Sequence, residues 1–247
     1  TLGIGVTNVA YYLAKNNTKY SDGSGNELIH QTFEALQYYS LKASNILANE
    51  KGACPSFGET QYAQGILPID TYKKDVDDFC GCELKLDWEK LRSDIKATGL
   101  RNSTLTALMP CESSSQISNS TNGIEPPRGF VSIKQSKDGI LKQIVPDYQQ
   151  LKDKYELLWD IKDNDGYLQL CAIMQKFVDQ SISTNTHYDP SLFEGNRVPM
   201  KLFLMDLLKA YKYGVKTLYY HTTRDGGADD MLEKEDDNAC ADGVCKL

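Results

Sequence analysis

Helical and extended periodicities alternate along this chain, and that alternation limits what it can fold into more than any other feature does. Residues 26–49 place Leu28, Ile29, Phe33, Leu36, Ala43, Ile46 and Leu47 on a helical stripe, with Gly52 behind it as a stop. Similar spacing predicts helices at about 4–15, 87–97, 147–160, 166–183 and 199–213, the last with Pro199 in its first turn and Gly214 at its close. Short β-like runs stand among them at 129–134 (Gly-Phe-Val-Ser-Ile-Lys) and 215–221 (Val-Lys-Thr-Leu-Tyr-Tyr-His). Strands alternating with helices imply an α/β architecture with a mainly parallel sheet. A chain of 247 residues, 40% of them hydrophobic, can bury a sizeable core as one large domain or two small ones.

Several classes of function are disfavoured. No apolar run reaches the roughly 18 residues a membrane span needs, and the opening Thr1-Leu-Gly-Ile-Gly is neither a charged signal region nor an amphipathic transit peptide. The expected location is the cytoplasm, with no membrane partner. Seven cysteines (54, 80, 82, 111, 171, 240 and 245) are odd in number and scattered without a framework, which fits a reducing compartment. Cys80-Gly-Cys82, beside Asp77, Asp78 and Glu83, reads as a solvent-exposed loop. There is no basic footprint for nucleic acid. The hydrophobic, glycine-rich start, Leu2-Gly-Ile-Gly-Val-Thr-Asn-Val-Ala-Tyr-Tyr, has no leading turn or cap, so the chain is expected to be a C-terminal piece.

Three stretches carry chemistry. From Asp225 to Leu247, eight acidic residues against two lysines hold −6 of the chain's formal charge of −7. So polar a segment has too little apolar surface to offset its ordering entropy, and residues 225–247 are expected to form a flexible acidic tail behind a folded body, 1–224. Fifteen residues from Asp225 to Cys240 give a root-mean-square reach of roughly 20 Å and an extended limit of about 50 Å, so Cys240 and Cys245 could visit a pocket and withdraw. The residues alone leave open half a zinc site, a small structural disulfide and two incidental thiols. In the middle, an extended apolar stretch runs from Arg101 into Pro110-Cys111-Glu112-Ser113-Ser114-Ser115. Proline followed by small polar residues describes a helix start whose N–H groups can hold a phosphate without lysine, or simply a well-capped helix. Last, Tyr219-Tyr220 lies in the final predicted strand. Regular strand geometry would put one ring in the core and the other at the surface; a redox relay would need the rings stacked, and so a departure from that geometry.

Together these stretches resemble the C-terminal part of the large (alpha) subunit of class I ribonucleotide reductase. The resemblance runs from residues 2–13 to the terminal Lys-Leu. It is carried by Gly65-Ile-Leu-Pro-Ile-Asp-Thr-Tyr, all of Arg101 to Gly129, Asn164-Asp-Gly-Tyr-Leu-Gln-Leu, Asp179-Gln-Ser-Ile-Ser-Thr-Asn, Gly214-Val-Lys-Thr-Leu-Tyr-Tyr and the Cys240-x4-Cys245 tail. It implies the C-terminal half of a ten-stranded α/β barrel. By the same resemblance, Pro110, Cys111, Glu112, Ser113 and Ser114 match the loop that binds the phosphates of a ribonucleoside diphosphate, with Cys111 in place of a serine common there. Tyr219 and Tyr220 match the stacked tyrosines that pass a radical from the small subunit. Cys240 and Cys245 match the tail dithiol that re-reduces the active-site disulfide and is renewed by thioredoxin or glutaredoxin. Asn238-Ala-Cys240-Ala-Asp242 imitates the loop of the radical-bearing cysteine, which itself belongs upstream of this chain.

The resemblance implies no cofactor and no metal on this chain, a di-iron tyrosyl-radical cofactor in the small subunit, and nucleotide effectors on an upstream chain. The expected partners are that N-terminal chain of a split large subunit, the small subunit, thioredoxin or glutaredoxin, and the diphosphate substrate. Alone, the chain is expected to be inactive and, with a half-barrel's open edge, sticky or poorly stable. A non-catalytic remnant that binds reductase components is the alternative. A free-standing thiol oxidoreductase would want a Cys-x-x-Cys at a helix start, which the chain lacks.

Overall fold

The computed structural model describes residues 1–136 and 139–224. Strands β1 (Val131–Ser136) and β2 (Gly139–Ile144) form an antiparallel hairpin, whereas β3 (Thr184–Tyr188) and β4 (Leu218–Thr223) pair in parallel. Two further extended segments continue that parallel set. Ile4 bridges Thr106 and Leu108 bridges Ile182, both in the parallel sense. The N–H groups of Leu2 and Ile4 donate to the carbonyls of Thr104 and Leu105 at 3.0 and 2.8 Å, and those of Gln180 and Ser183 donate to Thr106 and Leu108 at 3.1 and 2.9 Å. Residues 2–5, 104–108, 180–188 and 218–223 thus lie side by side in sequence order, and helices occupy the connections. The class is α/β, as expected; among the described residues the set stays open and no barrel closes.

The helices are α1 (Val9–Lys15), α2 (Asn26–Lys51), the single turns α3 (Pro68–Thr71) and α4 (Val76–Phe79), α5 (Trp88–Thr98), the turns α6 (Ser114–Ile117) and α7 (Tyr148–Leu151), α8 (Asp165–Phe177) and α9 (Met200–Tyr213). Four expectations are corrected. The helix expected from residue 4 begins at Val9, because residues 2–5 are used in the parallel ladder and Asn8 turns left-handed at φ 70°. The helix expected over 147–160 stops after α7: Leu151, Tyr155, Leu158 and Trp159 are buried as their spacing promised, but the Leu158 N–H bonds to the Pro127 carbonyl at 2.8 Å instead of continuing a helix. The helix expected to reach 183 ends at Phe177, where the chain goes over to the third parallel segment. The run at 129–134 joins a hairpin, Val131 opposite Ile144 and Ser136 opposite Gly139, rather than the parallel sheet.

Helix α8 explains the core. Leu168, Leu170, Ile173 and Phe177 are fully buried, and nearly every face of the helix is covered, as a helix apolar all round requires. Each such side chain contributes roughly 1.5–3 kcal/mol by leaving water. Its start is pressed so close to the preceding loop that a Cβ on Gly166 would come within 2.4 Å of the Tyr20 carbonyl oxygen. Helix α2 packs along α8, and the His30 ring meets Phe177 edge-on at 4.9 Å.

Two carboxylates, Glu34 buried and Asp179 half-buried, fasten loops to this core. Glu34 Oε1 accepts from the backbone of Lys85 and Leu86 and from the Trp88 indole at 2.8, 2.9 and 3.1 Å. Asp179 accepts from the backbone of Leu105 and Thr106 at 2.6 and 3.0 Å, from Gln37 Nε2 at 2.9 Å and from the Tyr62 hydroxyl, while its own N–H donates to Thr106 Oγ1 at 2.9 Å. Removing that carboxylate strands buried N–H groups. Asp179→Ala is therefore expected to cost about 3–5 kcal/mol and Asp179→Asn, which keeps an acceptor, clearly less; denaturant unfolding of the two variants checks the order.

His30 and His187 are both lowered to about 4, in each case first by burial and then by a cation, Lys176 and Arg128 respectively. A folded-state value below the unfolded one near 6.5 means that the neutral ring's contribution is complete above about pH 6.5 and is lost as pH falls toward 4. The slope is roughly 1.4 kcal/mol per pH unit for each ring. Ring-proton NMR should find both rings neutral at pH 5, and unfolding free energies measured at pH 7 and pH 5 should show the loss.

Candidate functional site

The parallel segment 104–108 delivers the chain at its carboxyl end into residues 109–123, the position where α/β sheets most often bind ligands. Pro110, Glu112, Ser113 and Ser114 are exposed and Cys111 partly so. The loop is pinned from within: Asn122 Oδ1 accepts the Cys111 N–H at 2.8 Å and Asn122 Nδ2 donates to Glu112 Oε1 at 2.9 Å. It is pinned from outside by Asn8 Oδ1, which accepts the Thr121 N–H at 2.9 Å. The Cys111 thiol donates to the carbonyls of Val6 and Met109 at 3.4 and 3.5 Å, contacts a serine hydroxyl could also make. The expected helix start is corrected in detail: α6 is one turn beginning at Ser114, so Pro110 lies ahead of it and not in its first turn. Any hold on an anion here comes from local N–H and hydroxyl groups rather than a helix macrodipole.

Beside this loop lies a cleft of about 340 Å³ lined by Glu112, Ser115, Asn122, Glu125 and Arg128 among others. Glu125 follows Gly123 in a turn stiffened by Pro126-Pro127. Burial pushes its carboxyl up, opposed by a hydrogen bond that its Oε1 accepts from Asn185 Nδ2. His187 Nε2 stands 3.9 Å from the same oxygen. Sequence reasoning gives Glu125, Asn185 and His187 no role. Asn185 and His187 belong to one face of β3, where residues two apart line up, but nothing in the residue pattern alone says what stands opposite them.

Across β3, Tyr219 and Tyr220 sit on the edge strand β4 with ring centroids 4.1 Å apart and planes at 52°. They are 52% and 59% exposed, so the expectation of one core and one surface ring is overturned. The departure from regular geometry is visible in the register. Thr184 faces Leu218 and Thr186 faces His221, so one β3 residue stands opposite two on β4, which is a β-bulge at the tyrosine pair. The Tyr220 N–H turns to Asn185 Oδ1 at 2.9 Å. The adjacent Tyr220 hydroxyl holds the Tyr219 phenol above its ordinary value.

Cys240 and Cys245, with all of 225–247, lie outside the described residues. The Cys80-Gly-Cys82 loop is not the solvent-exposed pair expected from its acidic neighbours: Cys80 is buried, its thiol donates to Cys82 Sγ at 3.4 Å, and burial, with Cys82 beside it, pushes it up to about 12. Cys171, wholly buried, is likewise pushed up to about 12. Among the described residues no group of three or more His, Cys, Asp or Glu side chains is arranged to hold a metal ion, and no helix is long and apolar enough to cross a membrane.

The family model of the ribonucleotide reductase barrel domain matches residues 1–221. Over its whole length the chain is 67% identical to ribonucleoside-diphosphate reductase 1 subunit alpha of Salmonella typhimurium and 68% identical to the subunit alpha of Haemophilus influenzae, covering 33% and 32% of those proteins. The subunit alpha of Enterobacteria phage T4 is 49% identical over 248 residues, again with 33% of the relative covered. The chain therefore spans about a third of the length of the curated relatives it matches. By the extent of that match, together with the loop and the tyrosine pair it brings into one region, the chain belongs to the ribonucleotide reductase barrel-domain family.

Proposed function

We propose that this chain is the C-terminal portion of the large subunit of a class I ribonucleoside-diphosphate reductase, contributing to the conversion of ribonucleoside diphosphates to 2'-deoxyribonucleotides. The observation that carries the reading is the tyrosine pair: two phenols in ring contact at 4.1 Å, turned together by a bulge that a purely structural edge strand does not need. In this reading Tyr219 and Tyr220 relay the radical arriving from the small subunit, and the loop Pro110, Cys111, Glu112, Ser113 and Ser114 holds the substrate phosphates. Cys240 and Cys245 return two electrons and two protons to the active-site disulfide and are renewed by thioredoxin or glutaredoxin. The thiyl-radical cysteine and the nucleotide effector sites belong to an upstream part of the subunit, on a separate chain if the subunit is split. The radical originates at a di-iron tyrosyl cofactor in the small subunit, and this chain itself binds no cofactor.

Physical chemistry supports a dependence on partners. An electron and proton relay works best with water excluded, yet both rings are more than half exposed here. Beside them in sequence, α9 leaves Met200, Leu204, Leu208 and Tyr211 largely exposed at spacings of three and four residues, an apolar stripe. The parallel set is open at β4. These features fit one portion of a ten-stranded barrel that is completed by the upstream portion, working in the cytoplasm.

The test is diphosphate reduction with dithiothreitol and the small subunit present, comparing this chain alone, the upstream portion alone and the two mixed. Turnover is expected only in the mixture and is expected to fall by at least about 100-fold on Tyr219→Phe or Tyr220→Phe. A stable complex without turnover would instead make the chain a non-catalytic partner of reductase components.

A further inference from the structure

The bulge at the tyrosine pair has a single residue opposite it. Between the paired positions Thr184–Leu218 and Thr186–His221, β3 supplies only Asn185 while β4 supplies Tyr219 and Tyr220. In an unbulged strand two adjacent side chains leave on opposite faces, and their rings could not approach to 4.1 Å. The extra residue also takes the Tyr220 N–H out of the ladder and leaves it in need of an acceptor, and Asn185 Oδ1 is that acceptor at 2.9 Å. Because a backbone N–H can only donate, it fixes which way the Asn185 amide points: the oxygen toward Tyr220, the amino group toward Glu125, whose Oε1 accepts from it. Glu125 in turn is part of the wall of the cleft that Glu112, Ser115 and Asn122 also line. Two hydrogen bonds in series therefore join Glu125, in the wall of that cleft, to the backbone under the tyrosine pair.

We infer that Asn185 is a positioning residue for the tyrosine relay, locking the bulge that turns Tyr219 and Tyr220 into ring contact, and that Glu125 holds Asn185 in the one orientation that does so. The inference rests on the relay reading above and adds to it a residue that touches neither substrate nor ring. Its chemistry makes a specific demand. Asn185→Ala removes both bonds. Asn185→Asp keeps an acceptor for the Tyr220 N–H but sets a carboxylate against the Glu125 carboxylate. Asn185→Asp combined with Glu125→Gln restores a donor and an acceptor in reversed order at unchanged total charge, since the amide introduced at position 125 can donate to the carboxylate introduced at position 185.

The experiment uses the reconstituted reductase, with this chain, the upstream portion and the small subunit. Asn185→Ala and Asn185→Asp are expected to lower kcat at least about tenfold with KM for the diphosphate unchanged, and the double variant, Asn185→Asp with Glu125→Gln, to recover most of the loss. Backbone amide exchange on the chain gives a readout independent of turnover: in Asn185→Ala the Tyr220 N–H should exchange at least about tenfold faster while Thr222, further along β4, keeps its protection. An unchanged Tyr220 exchange rate, or a kcat loss that the double variant does not recover, would overturn the role given to Asn185. If Tyr219→Phe and Tyr220→Phe leave turnover intact, the relay reading fails by itself, and the exchange result still decides whether Asn185 sets the bulge.

Discussion

The Asp179 carboxylate, placed where α8 gives way to the third parallel segment, collects N–H groups from Leu105 and Thr106, the Gln37 amide and the Tyr62 hydroxyl. It thereby joins α2, the second extended segment and the third, which no run of apolar contacts could hold in one register. Burial pushes this carboxyl up, and the backbone N–H groups of Thr106 and Leu105 oppose the shift, so the site tolerates a charge only while those donors stay in place. Everything downstream is aimed from there. Segment 104–108 delivers the 109–123 loop at its carboxyl end, and segment 180–188 carries Asn185 and His187 to the other side of the same region.

The candidate site is accordingly two features sharing one scaffold. The loop is a surface feature, fixed by Asn122 and Asn8 so that its exposed hydroxyls and N–H groups need not be ordered again when a ligand arrives. The tyrosine pair is an edge feature, held by a bulge that bends the strand locally and gives up a ladder hydrogen bond to do it. Glu125 is where the two meet, with Asn185 on one side and the cleft on the other. An edge strand bearing two half-exposed aromatic rings is a liability in a free-standing protein, and it makes sense where another surface covers it.

Much of this was legible in the residues. The stripes of α2, α5 and α9 gave helices within a few residues of those observed, because a 3.6-residue repeat of apolar side chains specifies helix locally, although it does not say which of those side chains find a cover within this chain. The short strands were harder. The stretch from Arg101 into Pro110 reads as extended and is so, but residues 2–5 are extended only because they complete a parallel ladder with it, and nothing local marks them. The hairpin partner of Val131–Ser136, Gly139–Ile144, likewise carries no strand signal in the sequence reading. Cys80 shows the same limit from the other side: acidic neighbours suggested exposure, but Asn26 at the start of α2, more than fifty residues earlier in the chain, donates to the Phe79 carbonyl at 3.1 Å and accepts from the Cys80 thiol at 3.8 Å, and the thiol is buried.

The sequence by itself determined the α/β class, the long helices, the loop of small polar residues after an extended stretch, and the adjacency of two tyrosines, since each depends on residues close together in the chain. Only the tertiary structure decided that those tyrosines touch, that Asn185 and Glu125 support them, and that the 109–123 loop opens beside the same cleft. These relations join β3 to β4 and a turn sixty residues away, and a hydrogen bond across such a distance exists only when packing has already closed the chain between its ends.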